Sequence, residues 1–300
     1  MSHVCVLMAV YNGGKYLEEQ IESILEQRDV DVDLYIRLDP SNDDSKSIIR
    51  RYEAQNHNVH LILASESSGS AGQNFFNLLL EVDFESYEFV AFADQDDIWF
   101  SDKLLRATDS IIREKVAAYS GDVIAWWDSG KERLIKKSSS QVQYDYLFES
   151  AGPGCTFVFT KELANALKRF LQSLGEGVKT LWLHDWFCYA FARNNGYEWF
   201  IDDRPMMKYR QHEANSVGAN SGLSAFKARI VEVLSGSALE KVCLQASVLN
   251  MNSKLPIALI NQRRFHSSLK LASYACQCRR KPSDKLLFAI VMVVHAFGQL

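Results

Sequence analysis

Between Val4 and Lys115 the sequence repeats one alternation: a short apolar run, a polar turn, then a stretch with helical spacing. Val4 to Val10 is apolar without a break, as in a strand covered on both faces of a parallel sheet. Asn12-Gly13-Gly14 punctuates it. Leu17, Ile21, Ile24 and Leu25 then recur at helical spacing across Tyr16 to Gln27. Further strands over Leu34 to Leu38, Val59 to Ala64 and Glu88 to Ala93 alternate with helices over Ser45 to Ala54, Gly72 to Val82 and Lys103 to Lys115. This order predicts a parallel α/β sheet with right-handed crossovers and helices on both faces. Such sheets bind ligands at the carboxyl ends of their strands, and those ends carry Asn12, Asp39 and Asp94.

The second half is less regular. Val123 to Trp127, Thr156 to Thr160 and Met207 to Gln211 read as strands, and Leu181 to Arg193 as a helix. From about Leu223 the pattern is helical, with a turn at Ser235-Gly236-Ser237 and a break at Pro256. The expected division is residues 1–220 for the α/β domain and 221–300 for a C-terminal helical region. A chain of 300 residues, 47% hydrophobic, can bury a substantial core. Its net charge of −4 gives no indication of a nucleic-acid partner. Its six cysteines form no CxxC pair, and no basic leader precedes the first strand. Both point to reduced thiols and a cytoplasmic location. Near the end, Arg279-Arg280-Lys281 precedes the apolar run Leu286 to Val294, too short to span a bilayer. That pattern suits a helix lying at the inner-membrane surface, or one packed on the core.

The chemistry concentrates in four places. In Phe92-Ala93-Asp94-Gln95-Asp96-Asp97-Ile98-Trp99 an apolar strand ends in three carboxylates within four residues. Carboxylates this close raise one another's pKa, and a hard divalent cation, Mn2+ or Mg2+, relieves the repulsion. A solvated acidic turn is the plainer alternative. Asp39 can accept from the imide N–H of uracil or thymine, while Asp43 or Asp44 can cap the next helix. Asp185, in His184-Asp185-Trp186, is expected at a helix start that favours its ionised form. In Tyr209-Arg210-Gln211-His212, Arg210 can pair with a diphosphate and His212 can ligate a metal.

These stretches, with Val6 to Asn12, Gly154-Cys155-Thr156 and Asn215-Ser216-Val217-Gly218, resemble the family-2 inverting glycosyltransferases, most of all the rhamnosyltransferase type. The likeness in order and spacing runs over about residues 3 to 220. It implies the GT-A nucleotide-diphospho-sugar transferase fold, a mostly parallel sheet flanked by helices, with a C-terminal helical appendage. It implies one sugar moved from a nucleotide-sugar donor, dTDP-L-rhamnose first, to a saccharide or lipid-linked saccharide in bacterial O-antigen or capsule synthesis. On the matching positions Val10, Tyr11, Asn12, Asp39, Asp94, Gln95 and Arg210 would bind the nucleotide, with Asp39 on the base and Asp94 on the ribose. Asp96 and His212 would hold the metal, and Asp185 would be the catalytic base. Leu38-Asp39-Pro40 and Glu213-Ala214 depart from the family pattern. A UDP-hexose donor, or a sugar-nucleotide-binding module without activity, are the alternatives. A dinucleotide oxidoreductase is disfavoured, since no GxGxxG follows the first strand. Asn261 to Phe265 lacks the Trp and leading Gln of processive synthases, so transfer of a single sugar is expected.

Overall fold

The computed structural model describes residues 1–212 and 236–298. The Asn215-Ser216-Val217-Gly218 stretch, Glu213-Ala214, the boundary at 220 and the helix expected from Leu223 lie outside the described residues. The strands are β1 (Ser2–Val10), β2 (Val30–Leu38), β3 (Val59–Leu63), β4 (Phe89–Ala93), β5 (Ile98–Trp99), β6 (Ala118–Gly121), β7 (Val123–Trp127), β8 (Glu132–Ile135), β9 (Val158–Thr160), β10 (Trp199–Asp202) and β11 (Met207–Gln211). The main sheet has the order β10-β6-β9-β4-β1-β2-β3, and a smaller one β5-β11-β7-β8. In the main sheet β9 runs antiparallel to β4 and β6, and the other pairs are parallel.

Helices α1 (Leu17–Leu25), α2 (Ser45–Gln55) and α4 (Lys103–Glu114) pack into one core; α3 (Ala71–Glu81), α5 (Lys161–Leu174) and α6 (His184–Asn194) pack into the other. Strand β1 shows why its sequence is uninterrupted. Val4, Val6, Met8 and Val10 point to the first core, and Cys5, Leu7 and Ala9 to the second. Helix α5 had no assignment from sequence. Thr160 Oγ1 caps it at Leu163 N, 3.4 Å away, and Leu163, Ala164, Leu167 and Leu171 form its buried face.

The smaller sheet positions the site. Met207 and Lys208 of β11 pair with Trp99 and Ile98 of β5, directly after the acidic turn, and Arg210 faces Trp126 of β7. Distant chain segments are thereby brought against residues 94–97.

The C-terminal helices are α7 (Ser237–Val248), α8 (Leu255–Asn261), α9 (Phe265–Ser273), α10 (Ala275–Cys278) and α11 (Pro282–Phe297). They are docked on the α/β layer. Val242, Ala246, Leu249 and Ile257 join the core that holds α5 and α6. Phe148 and Phe288 meet edge to face at 5.1 Å. The basic cluster before α11 turns inward, contrary to a role for all three residues at a lipid surface. Arg280 is 5% exposed and pairs with Asp145 and Glu149 at 3.6 Å, and Arg279 pairs with Glu149 and Asp284 at 3.7 Å. Among the described residues no helix is long and apolar enough to cross a membrane.

Candidate active site

The turn after β1 is laced to two neighbours. Gln95 Oε1 accepts from Tyr11 N at 2.8 Å, and Gln95 Nε2 donates to Tyr11 O at 3.1 Å. Asn12 N donates to Ser41 Oγ, Gly13 N to Ser45 Oγ and Gly14 N to Asp43 Oδ2, at 2.8–3.0 Å. Asn12 Oδ1 accepts from Asn42 N at 2.9 Å. A β-carbon on Gly13 would lie 2.6 Å from Gln95 Oε1, so a side chain there would displace the Gln95 amide that bonds Tyr11. Asp43 thus tethers the β1 turn as well as accepting from Ser45 N, whereas Asp44, at the N-cap of α2, makes no side-chain cap. Val10 is buried; Tyr11 and Asn12 are exposed at the strand end.

Asp39 lies at the carboxyl end of β2, as expected, but its carboxylate is engaged. It accepts from Arg37 Nη1 at 3.1 Å and from Ser68 N and Ser68 Oγ at 2.8 Å. A base contact at Asp39 therefore requires Ser68 to move or the remaining lone pair to serve.

At the end of β4 the acidic turn divides. Asp97 is fully buried; its Oδ1 accepts from Arg210 N at 3.0 Å and its Oδ2 has no hydrogen-bond partner. Ligand atoms of Asp94, Asp97 and Cys155 lie within 4.8 Å of one another. Burial and Asp96 push Asp94 up to about 7; burial, then Asp96 and Asp94, push Asp97 up. The Cys155 thiol is also pushed up by burial, so it stays protonated and suits a hard cation poorly. Asp96 faces the other way, 2.7 Å from His212 Nε2. The expected pair, Asp96 and His212, is therefore brought together, with Asp94 beside it. Asp96 and His212 at contact distance, with the Asp94 carboxylate raised partly by the charge of Asp96, form an oxygen-and-imidazole donor set that fits a hard divalent cation.

Arg210 differs from expectation. Its guanidinium lies between the rings of Tyr16 and Trp126, 4.2 and 4.3 Å from their centroids. Nε donates to Asp96 O at 2.7 Å, and the other nitrogens pair with Glu19 and Asp128. With 3% exposure and these partners, Arg210 supports the Asp96 turn. Tyr16, Trp126 and Asp128 escaped the sequence reading. Asp128 carried a signal, an aspartate directly after an apolar strand, the pattern that marks Asp94.

Asp185 is the second residue of α6, and its Oδ1 accepts from Trp186 N at 2.6 Å. The helix start and Lys137 favour the carboxylate, but burial outweighs them and pushes Asp185 up to about 6. It is close enough to Asp94 for its charge to raise Asp94. The neighbouring carboxylates are committed elsewhere: Asp145 is fully buried against Arg193 and Arg280, and Glu149 pairs with Arg279 and Arg280.

The sequence profile described as "Glycosyl transferase family 2" matches residues 5–167. The chain is 39% identical to the dTDP-rhamnosyl transferase RfbG of Shigella flexneri, over 97% of this chain and 100% of that one. It is 25% identical, over 54% of its length and 62% of the other's, to the Escherichia coli UDP-Glc:alpha-D-GlcNAc-diphosphoundecaprenol beta-1,3-glucosyltransferase WfgD. Among solved structures, S. aureus TarS 1-349 in complex with UDP-GlcNAc superposes with a TM-score of 0.54 at 14% identity, covering 99% of this chain and 89% of that one. The last likeness concerns the fold, which is GT-A. A profile spanning more than half the chain, and a relative alike over nearly all of it, place this chain in glycosyl transferase family 2.

Proposed function

We propose that this glycosyltransferase moves one L-rhamnosyl unit from dTDP-L-rhamnose to a lipid-diphosphate-linked saccharide during cell-surface polysaccharide assembly. The observation that carries the donor is the near full-length likeness to a dTDP-rhamnosyl transferase. The acceptor class follows the name of the more distant Escherichia coli relative.

In this reading the acceptor hydroxyl oxygen bonds to the anomeric carbon from the face opposite the leaving group. The bond from that carbon to the diphosphate oxygen breaks, and its electron pair leaves with the nucleoside diphosphate. The hydroxyl proton passes to Asp185, whose pKa near 6 matches a base working near neutrality. One displacement inverts the anomeric configuration. Asp96 and His212, with Asp94, would hold Mn2+ or Mg2+, which supplies positive charge to the leaving diphosphate. The turn at Tyr11 and Asn12, held by Gln95 and Ser41, frames the nucleotide, and Arg210 keeps the Asp96 turn rigid. The division at residue 220 and an inner-membrane location belong to the same proposal. Support for the location is the outer stripe of α11, where Leu286, Ile290, Val294 and Phe297 are exposed.

The test is a donor panel with purified protein, reading nucleoside diphosphate release with and without Mn2+. Turnover of dTDP-L-rhamnose that stops in EDTA is expected. Turnover of a UDP-hexose in its place would overturn the donor.

A further inference from the structure

We propose that Lys137 and Lys281, backed by Arg280, seat the diphosphate of the lipid-linked acceptor beside Asp185. This rests on the acceptor class given above and goes on to locate where its anionic link is held.

Segment 149–152 joins the base to the cations. The Ser150 hydroxyl donates to Gly152 O at 2.9 Å and favours the Asp185 carboxylate, and the Ser150 carbonyl accepts from Arg280 Nη2. Glu149 Oε1 accepts from Arg280 N at 2.8 Å. A β-carbon built on Gly152 would lie 3.8 Å from Lys137 Cβ. Lys137 is held by its main chain, whose N–H donates to Asp122 Oδ1 at 2.5 Å, so the stem of its side chain leaves from a fixed point. Lys281 follows Arg280 directly and is the N-cap residue of the sixteen-residue α11.

Positive charge at this place is under-compensated. Among the described residues, neither ammonium group has a carboxylate within ion-pair distance. Arg280 is 5% exposed, and its Nη1 has no hydrogen-bond partner, with Asp145 Oδ2 at 3.6 Å. Glu149 is shared between Arg279 and Arg280, and Asp284 pairs with Arg279; neither carboxylate is within ion-pair distance of Lys137 or Lys281. Burial, then Lys281 and Arg280, hold Lys137 below the usual lysine range, against Glu149 and Asp185. The start of α11 adds the partial positive charge of a helix N-terminus. An anion at this point relieves all of these at once.

The arrangement also separates two anions. Asp94 of the acidic turn feels the charge of Asp185, and Asp185 feels Lys137 of the basic cluster. The donor diphosphate belongs with a metal at the acidic turn, so the cations beyond Asp185 are left for the acceptor. From Lys281 the exposed stripe Leu286, Ile290, Val294 and Phe297 runs along α11, an apolar track for the chain attached to that diphosphate.

The probe is farnesyl diphosphate, titrated calorimetrically into the full-length protein in EDTA, so that a metal-dependent donor site does not bind it. Lys137→Gln with Lys281→Gln should weaken binding by at least about tenfold, the scale of losing charged hydrogen bonds. Lys137→Arg should restore most of it in the single variant, and Asp96→Ala should leave it unchanged. Thermal unfolding of each variant separates lost binding from lost fold. Equal affinity of the parent and the double variant would overturn the proposal. So would inorganic pyrophosphate binding as tightly as farnesyl diphosphate, which would make this a site for a free anion. Binding of phosphatidylglycerol vesicles that is lost in the double variant, with no binding of farnesyl diphosphate, would overturn it in favour of a membrane headgroup. None of these readings needs turnover, so failure of the donor or of the base would not be mistaken for failure of this site.

Discussion

A carboxylate in the first turn of a helix is ordinarily held in its charged form. At Asp185 burial reverses that balance, and the sequence could not show it, because the burying neighbours come from remote segments. The consequence is a pH profile. With the base active only when ionised, kcat should climb as pH rises through about 6 and level off above it. Asp185→Asn should lower kcat by about 10²–10⁴-fold while donor affinity, read by calorimetry, stays near the parent value. A parent-like rate would move the base elsewhere. Arg210 invites a second substitution. Lysine cannot lie flat between Tyr16 and Trp126 while bonding Asp96 O, Glu19 and Asp128. Arg210→Lys should cost about 2–4 kcal/mol in urea unfolding and weaken metal-dependent nucleotide binding. At this scale the placement of Asp94 and His212 at strand ends and of Asp185 at a helix start was legible, because the runs beside them mark where the elements stop and begin. Tyr16 and Trp126 were not, because an aromatic beside a strand or helix reads first as core.

Among the elements, the start of α6 is seated by two glycines. A β-carbon on Gly72 of α3 would lie 2.8 Å from Trp182 O, and one on Gly154 only 2.2 Å from His184 Nε2. His184 cannot retreat, since its ring is stacked on Phe75 at 4.1 Å and abuts Phe92. It is buried with neither ring nitrogen hydrogen-bonded, and burial pushes it down to about 3. Gly154→Ala should therefore destabilise by about 1–3 kcal/mol in urea unfolding, and shift Asp185 enough to lower kcat more than it raises KM for the donor. Unchanged stability would mean that the histidine has room the geometry does not show. The elements of the first half were readable because each apolar run falls on a strand, although β2 begins at Val30, four residues before the run read from Leu34, where Asp31 and Asp33 interrupt the apolar pattern. Strands β5, β6, β8 and β10, of two to four residues, were not, because so short a piece has no period and exists only through its partner.

Over the whole molecule, charge is unevenly spread. From residue 251 onward the sequence has eight lysines and arginines and one acid, Asp284, although the chain carries −4 overall. Helix α11 turns Val291, Met292 and Ala296 inward and Leu286, Ile290, Val294 and Phe297 outward. The two faces should respond differently. Ile290→Glu with Phe297→Glu should leave the unfolding midpoint almost unchanged, as exposed changes do, and cut binding to anionic vesicles in a salt-dependent way. Met292→Ala should cost about 2 kcal/mol or more through the cavity it leaves. Vesicle binding equal in the parent and the outer-face variant would show that the stripe does not meet a bilayer.

The sequence by itself determined the sheet, through the two-sided apolar strands, and the acidic turn, through carboxylates at a strand end. Those are local properties, carried by neighbours along the chain. Tertiary structure decided the roles. Asp39, expected on a nucleotide base, accepts from Arg37 and Ser68; Arg210, expected at a diphosphate, bonds the Asp96 carbonyl; and Arg279 and Arg280 face inward. In each case the partner lies on a separate segment, and a charged side chain taken out of water must find its counter-charge wherever the fold supplies one.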